Sequence, residues 1–145
     1  MLYQTATTSF KVQLAQGLHN FGPTSPNTFY IALFTAASTI NAATPTYNTA
    51  LVGEVVGTGY TQGGQQLTIT TTPTSGISGT TAYWSFADVL WSPAAFTARG
   101  AMIYNASQSN ASVCILDFGA DKTCTNSFTI QFPTAVASSA ILRIA

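Results

Sequence analysis

The run Thr28-Phe29-Tyr30-Ile31-Ala32-Leu33-Phe34-Thr35 decides how the rest of the chain is read. Its residues are those that favour strands, and the period of two puts Phe29, Ile31 and Leu33 on one face. Tyr30, Ala32 and Phe34 fall on the other. With both faces apolar, the run predicts a central strand covered on each side.

Working outward, the chain continues as short strands between turns. Residues 36–50 lack a period, are broken by Pro45 and read as a long loop. Leu51-Val52-Gly53-Glu54-Val55-Val56 follows as a short edge strand, then a Gly-rich connection, 57–64, around Tyr60. Gln66-Leu67-Thr68-Ile69-Thr70 alternates apolar with polar as a half-buried strand does, and 74–79 turns the chain. Residues 81–86 and 89–91 are aromatic strands, 96–104 another, and 105–110 a hairpin loop. Strands over 111–118, 127–132 and 140–144 complete the set. Eight or nine strands at near-regular spacing predict an all-β fold, an antiparallel β-sandwich of jelly-roll-like type.

Upstream of the deciding run lies the one helical pattern, over 9–20. Thr8 or Ser9 offers the N-cap hydroxyl, and Phe10, Leu14 and Leu18 form a stripe at i, i+4, i+8. Asn20-Phe21-Gly22-Pro23 ends it. Residues 1–8 read as an extended arm, so the 145 residues make a single domain of arm, helix and a β-sandwich over 28–145.

Only eight residues carry a formal charge, and the four basic and four acidic side chains cancel. Soluble domains ordinarily devote about a quarter of their residues to charge. A neutral surface rich in Thr, Ser, Asn and Gln has little like-charge repulsion to keep copies or partners apart. Four scattered cations cannot neutralise a run of phosphates, so no direct nucleic-acid contact is expected. No apolar run reaches the roughly 18 residues of a membrane span, and Met1-Leu2-Tyr3-Gln4-Thr5 lacks the marks of a secretory signal.

Chemistry finds few residues to work with, and neither an enzyme nor a cofactor is expected. Cys114 sits in an apolar run and Cys124 in a polar connection. Pairing 111–118 with 127–132 as a hairpin sets Cys114 opposite a residue near Ile130, which makes a disulfide to Cys124 awkward. With one His and two separated Cys, a closed zinc site is not expected. Asp117-Phe118-Gly119 lacks every companion of the kinase motif it spells. Asp88, Asp117 and Asp121 match no calcium-loop spacing. Asp117 is expected to meet Arg99 across neighbouring strands, and Asp121 to meet Lys122 or solvent. His19 suits a helix end, the serines lack an activating partner, and Glu54 stands alone where glycosidase chemistry needs two carboxylates. Tyr60, Trp84 and Trp91 are candidate stacking surfaces for a glycan, set against the commoner fate of aromatics in a core.

Four blocks, taken in order, carry a resemblance. They are the run 29–35, the Gly-rich connection 57–64, Ala98-Arg99-Gly100-Ala101-Met102-Ile103-Tyr104-Asn105, and Ala140-Ile141-Leu142-Arg143-Ile144-Ala145. Together they resemble small structural proteins of tailed bacteriophages, among them jelly-roll-like head decoration, or cement, proteins. The resemblance implies a non-enzymatic virion component made in the host cytoplasm and placed on the outer surface of the head, clamping the major capsid protein lattice. A tail or neck component, or a glycan-binding receptor-recognition module, is the alternative. The low charge further predicts a homotrimer or homodimer. The expected partner contacts are Met1, Leu2 and Tyr3 of the arm, braced by Phe10, Leu14 and Leu18.

Overall fold

The computed structural model describes residues 1–76 and 79–145. The deciding run forms β2 (Phe29–Phe34), flanked on one side by β3 (Gln65–Leu67) and on the other by β7 (Phe96–Asn105). Beyond β7 lie β8 (Ala111–Cys124) and, at the far edge, β1 (Thr5–Ala6), giving an antiparallel five-stranded sheet in the order β1-β8-β7-β2-β3. A second sheet, β10-β5-β4, joins β10 (Leu142–Ile144), β5 (Ala82–Phe86) and β4 (Ile69–Ser75). A third pairs β6 (Val89–Trp91) with β9 (Phe128–Ile130). The fold is the all-β antiparallel sandwich expected. The turn expected over 74–79 includes Ile77 and Ser78, which lie outside the described residues.

The two faces of β2 divide the core as its alternation predicts. Phe29, Ile31 and Leu33 pack with Ala101 and Ile103 of β7 against Trp84, Phe86, Trp91 and Phe128 from the smaller sheets. On the opposite face, Ala32 and Phe34 join Met102 and Ile115, and this second cluster is roofed by Ile40 and Tyr47 from the long loop 36–50. That loop has no strand, yet it covers a sheet face that water would otherwise reach. After it, the expected edge strand at 51–56 reduces to one bridge, Glu54 opposite Phe34, with Val55 N–H donating to the Leu33 carbonyl at 2.9 Å.

The helix α1 spans Thr8–Ala15, shorter than the stripe suggests. Thr7, not Thr8 or Ser9, is the N-cap, its hydroxyl accepting from Phe10 N–H at 3.3 Å. Gly17, at φ 73°, ends the helix. Leu18 N–H donates to the Gln13 carbonyl at 2.9 Å and Gly17 N–H to that of Leu14 at 3.1 Å. This pair of bonds closes a Schellman motif, in which glycine takes the left-handed position without a Cβ penalty. Leu18 therefore falls outside the helix.

β8 is longer than expected. It continues through a bulge at 118–121, where Gly119 takes φ 75°, and pairs with β7 again from Lys122 to Cys124, the last opposite Phe96. The hairpin of 111–118 with 127–132 does not form, because β9 pairs with β6 instead. Cys114 lies opposite Ile103 and Ala6, buried, and both thiols are free.

Candidate functional site

The arm is built into the sheet. β1 pairs with Cys114 and Ile115 of β8, and the buried Thr7 side chain ties β1 and α1 to Ser112. Leu2 is 3% exposed and belongs to the second core cluster with Phe34, Met102 and Ile115. It has room there because residue 100 is glycine: a Cβ at Gly100 would stand 2.7 Å from a Leu2 methyl and 2.3 Å from the Leu116 carbonyl oxygen. Leu2 is thus not free to reach a neighbour, which corrects its assignment as a partner contact. Met1 and Tyr3, its chain neighbours, remain exposed at 86% and 66%.

The helix residues divide in the same way. Phe10 is buried, its ring 5.0 Å from that of His19 and 6.2 Å from that of Phe21. Leu14 is half-buried against the core, and Leu18 projects outside it. Phe10, corrected likewise, is a core residue of this chain, while Val12 adds an exposed apolar side chain that the stripe does not predict. Beside the helix runs a cleft of about 510 Å³. One wall is β1 and α1 and the other is β10, with Trp84, Cys114 and Leu116 at its base.

Trp84 and Trp91 are 3% and 1% exposed, so neither ring can stack on a glycan at the surface. Both pack between the sheets: Trp84 against Phe21, and Trp91 edge-on to Phe96 and Phe128. Their indole Nε1 atoms are buried without a hydrogen-bond partner among the described residues. Tyr60 also turns inward, its ring 6.4 Å from that of Trp91 and 5.8 Å from that of Phe96. Trp84 and Trp91 are corrected from ligand-facing to core, where burial of large rings contributes most, and Tyr60 is half-buried against that core.

Tyr60 instead leads to a polar cluster. Its hydroxyl donates to Glu54 Oε1 at 2.8 Å, and that of Tyr47 donates to Oε2 at 2.8 Å. Gly63 N–H donates to Oε1 at 2.6 Å, while Tyr104, stacked 4.4 Å from Tyr47, donates to the Gly63 carbonyl at 2.8 Å. Burial, reinforced by the Glu54 carboxylate, holds the Tyr47 and Tyr60 hydroxyls well above the ordinary phenol range. Burial pushes Tyr104 up to about 12. The hydroxyls stay protonated as donors, and the carboxylate fastens the long loop and the Gly-rich connection onto β2. Sequence reading missed Tyr47 because the loop around it has no period; Glu54 beside a Gly-rich segment was the only available signal.

The remaining polar candidates are structural ties. His19 is buried, with Nε2 3.0 Å from Gln13 Oε1 and Nδ1 3.0 Å from Asn105 Nδ2. That pattern fits a neutral ring donating from Nε2 and accepting at Nδ1, and burial lowers its pKa. Arg99 Nε meets Asp117 at 3.2 Å across β7 and β8, as expected, and Arg99 also stands 4.0 Å from Asp121, in place of Lys122. A hydrogen bond from Gly119 N–H, with Arg99, holds the Asp117 carboxyl below the usual range. Asp88 accepts from Phe132 N–H at 2.9 Å. Among the described residues, no three metal-ligating side chains gather at one point. No family model, curated protein or solved structure matches the chain.

Proposed function

We propose that this protein is a capsid cement protein of a tailed phage, bound on the outer surface of the head and clamping the major capsid protein lattice by shape and apolar burial. The observation that carries the reading is a surface with only eight charged residues that nevertheless leaves large apolar side chains in water. Met1 is 86% exposed, Tyr3 66% and Val56 95%. Isolated exposed apolar groups are ordinary on a soluble protein. Met1, Tyr3 and Val12 all belong to the first twelve residues, where the arm and helix are braced on β8. Repeated over a lattice, weak apolar contacts of this kind sum to strong attachment. The resemblance of the four sequence blocks to head decoration proteins supports the same conclusion.

Cryo-electron microscopy of purified virions tests it. The expected result is density for this sandwich at many lattice positions on the shell. A few copies on the tail or neck, with none on the shell, would overturn the reading.

A further inference from the structure

We propose that the cleft between β1–α1 and β10 receives an extended acidic segment of a partner protein, which adds as a strand beside β10 with its carboxylates between Lys11 and Arg143. The inference goes beyond attachment through exposed apolar groups and does not require the partner to be a capsid subunit.

Three observations converge on this occupant. The first is that both walls are outer strands: β10 pairs only with β5, and β1 only with β8, among the described residues. An outer strand presents unpaired backbone donors and acceptors, and adding a strand is the common way to satisfy them. The second is charge. Lys11 and Arg143 are two of the four cationic side chains, and both line the cleft, whereas none of the four acids does. Among the described residues neither cation reaches a carboxylate within ion-pair distance. Arg143 donates from Nη1 to the Ala137 and Ser138 carbonyls, which leaves other guanidinium N–H groups for a carboxylate. The third is Trp84. It lines the cleft, and its buried Nε1–H has no acceptor among the described residues, a condition it shares with Trp91 away from the cleft.

Other occupants fit less of this. A second copy of the chain has no suitable acid to insert. Its Glu54 is held by two tyrosines, its Asp117 by Arg99 and its Asp88 by Phe132 N–H, while Asp121, in the bulge of β8, stands 4.0 Å from Arg99. A fatty carboxylate would match the cations and the apolar base, but its alkyl chain leaves both strand edges unused.

The test is nuclear magnetic resonance of the full chain titrated with three heptapeptides alternating valine with glutamate, glutamine or lysine, and separately with decanoate. The glutamate peptide is expected to shift the indole N–H of Trp84 saturably, leave that of Trp91 in place and lose affinity in high salt. Lys11→Gln and Arg143→Gln, both at exposed positions, should each weaken it by about tenfold, the loss of one charge-assisted hydrogen bond. Binding of the lysine or glutamine peptide as tightly as the glutamate one would overturn the proposal. So would decanoate binding at Trp84 with no peptide bound, or no shift with any peptide at millimolar concentration.

Discussion

Glu54 shows how much one carboxylate can organise when three donors converge on it. It joins a loop without secondary structure to a Gly-rich connection through hydrogen bonds of 2.6–2.8 Å, while its own backbone bridges to Phe34 at the end of β2. Glu54→Ala leaves two tyrosine hydroxyls and a backbone N–H without their acceptor, and should destabilise the fold by about 3 kcal/mol in urea titrations. Tyr47→Phe removes one of those bonds and should cost about 1 kcal/mol. The same cluster sets an alkaline limit. The folded pKa values of Tyr47, Tyr60 and Tyr104 lie above their unfolded value of 10.0. Their contribution is therefore complete below pH 10 and is lost as pH rises towards the folded values, about 12 for Tyr104. His19 sets the acid limit with the opposite sign. Its folded pKa lies below the unfolded 6.5, so stability falls as pH drops through and below 6.5, where the unfolded chain takes up the proton first. Thermal unfolding against pH should accordingly show a plateau between these limits, and His19→Gln should flatten its acid side.

At the level of elements, the arm and helix are one unit fixed at both ends. Thr7 closes the start with a buried hydroxyl bonded to Ser112, and Gly17 closes the end at φ 73°. Thr7→Ala should cost about 2 kcal/mol, the upper range for a cap because its other hydrogen bonds are lost with it. Gly17→Ala meets no neighbouring atom and should cost only about 1 kcal/mol of left-handed strain. Leu2→Ala opens a cavity under β7 and should cost about 3 kcal/mol. Deleting residues 1–7 removes Leu2, β1 and the cap at once, so the truncated chain should melt well below the full one. Loss of capsid attachment in that variant would then report instability as well as a missing contact. Met1→Ser and Tyr3→Ser are the cleaner probes, since both side chains are exposed and stability should stay within about 0.5 kcal/mol.

For the whole molecule, eight charges in 145 residues leave little electrostatic barrier to association. Self-association into a trimer or dimer is the corresponding proposal, a trimer suiting three-fold positions between capsid hexamers. Sedimentation at micromolar concentration should show that oligomer, little changed by salt because apolar burial rather than charge holds it. A monomer across that range, in the absence of shells, would confine any symmetry to the lattice.

The sandwich was legible in the sequence because a strand's two faces are written in alternate residues, and β2 carries both of them in six positions. The Arg99–Asp117 pair and the buried Cys114 were legible for the same reason: each follows from a strand and its neighbour. What came only from tertiary structure depends on contacts between residues far apart in the chain. Leu2 is core because Gly100, on another strand, leaves space for it. Tyr47 is a ligand of Glu54 because a loop with no period folds across a sheet face. β8 runs on to Cys124 because β7 is long enough to pair with it, whatever its own polar residues would prefer. The cleft between β1 and β10 likewise joins the two ends of the chain, and local sequence cannot encode which distant strand edges meet. Periodicity records what each segment buries, whereas the partner it buries against is decided only when all the segments compete for the same core.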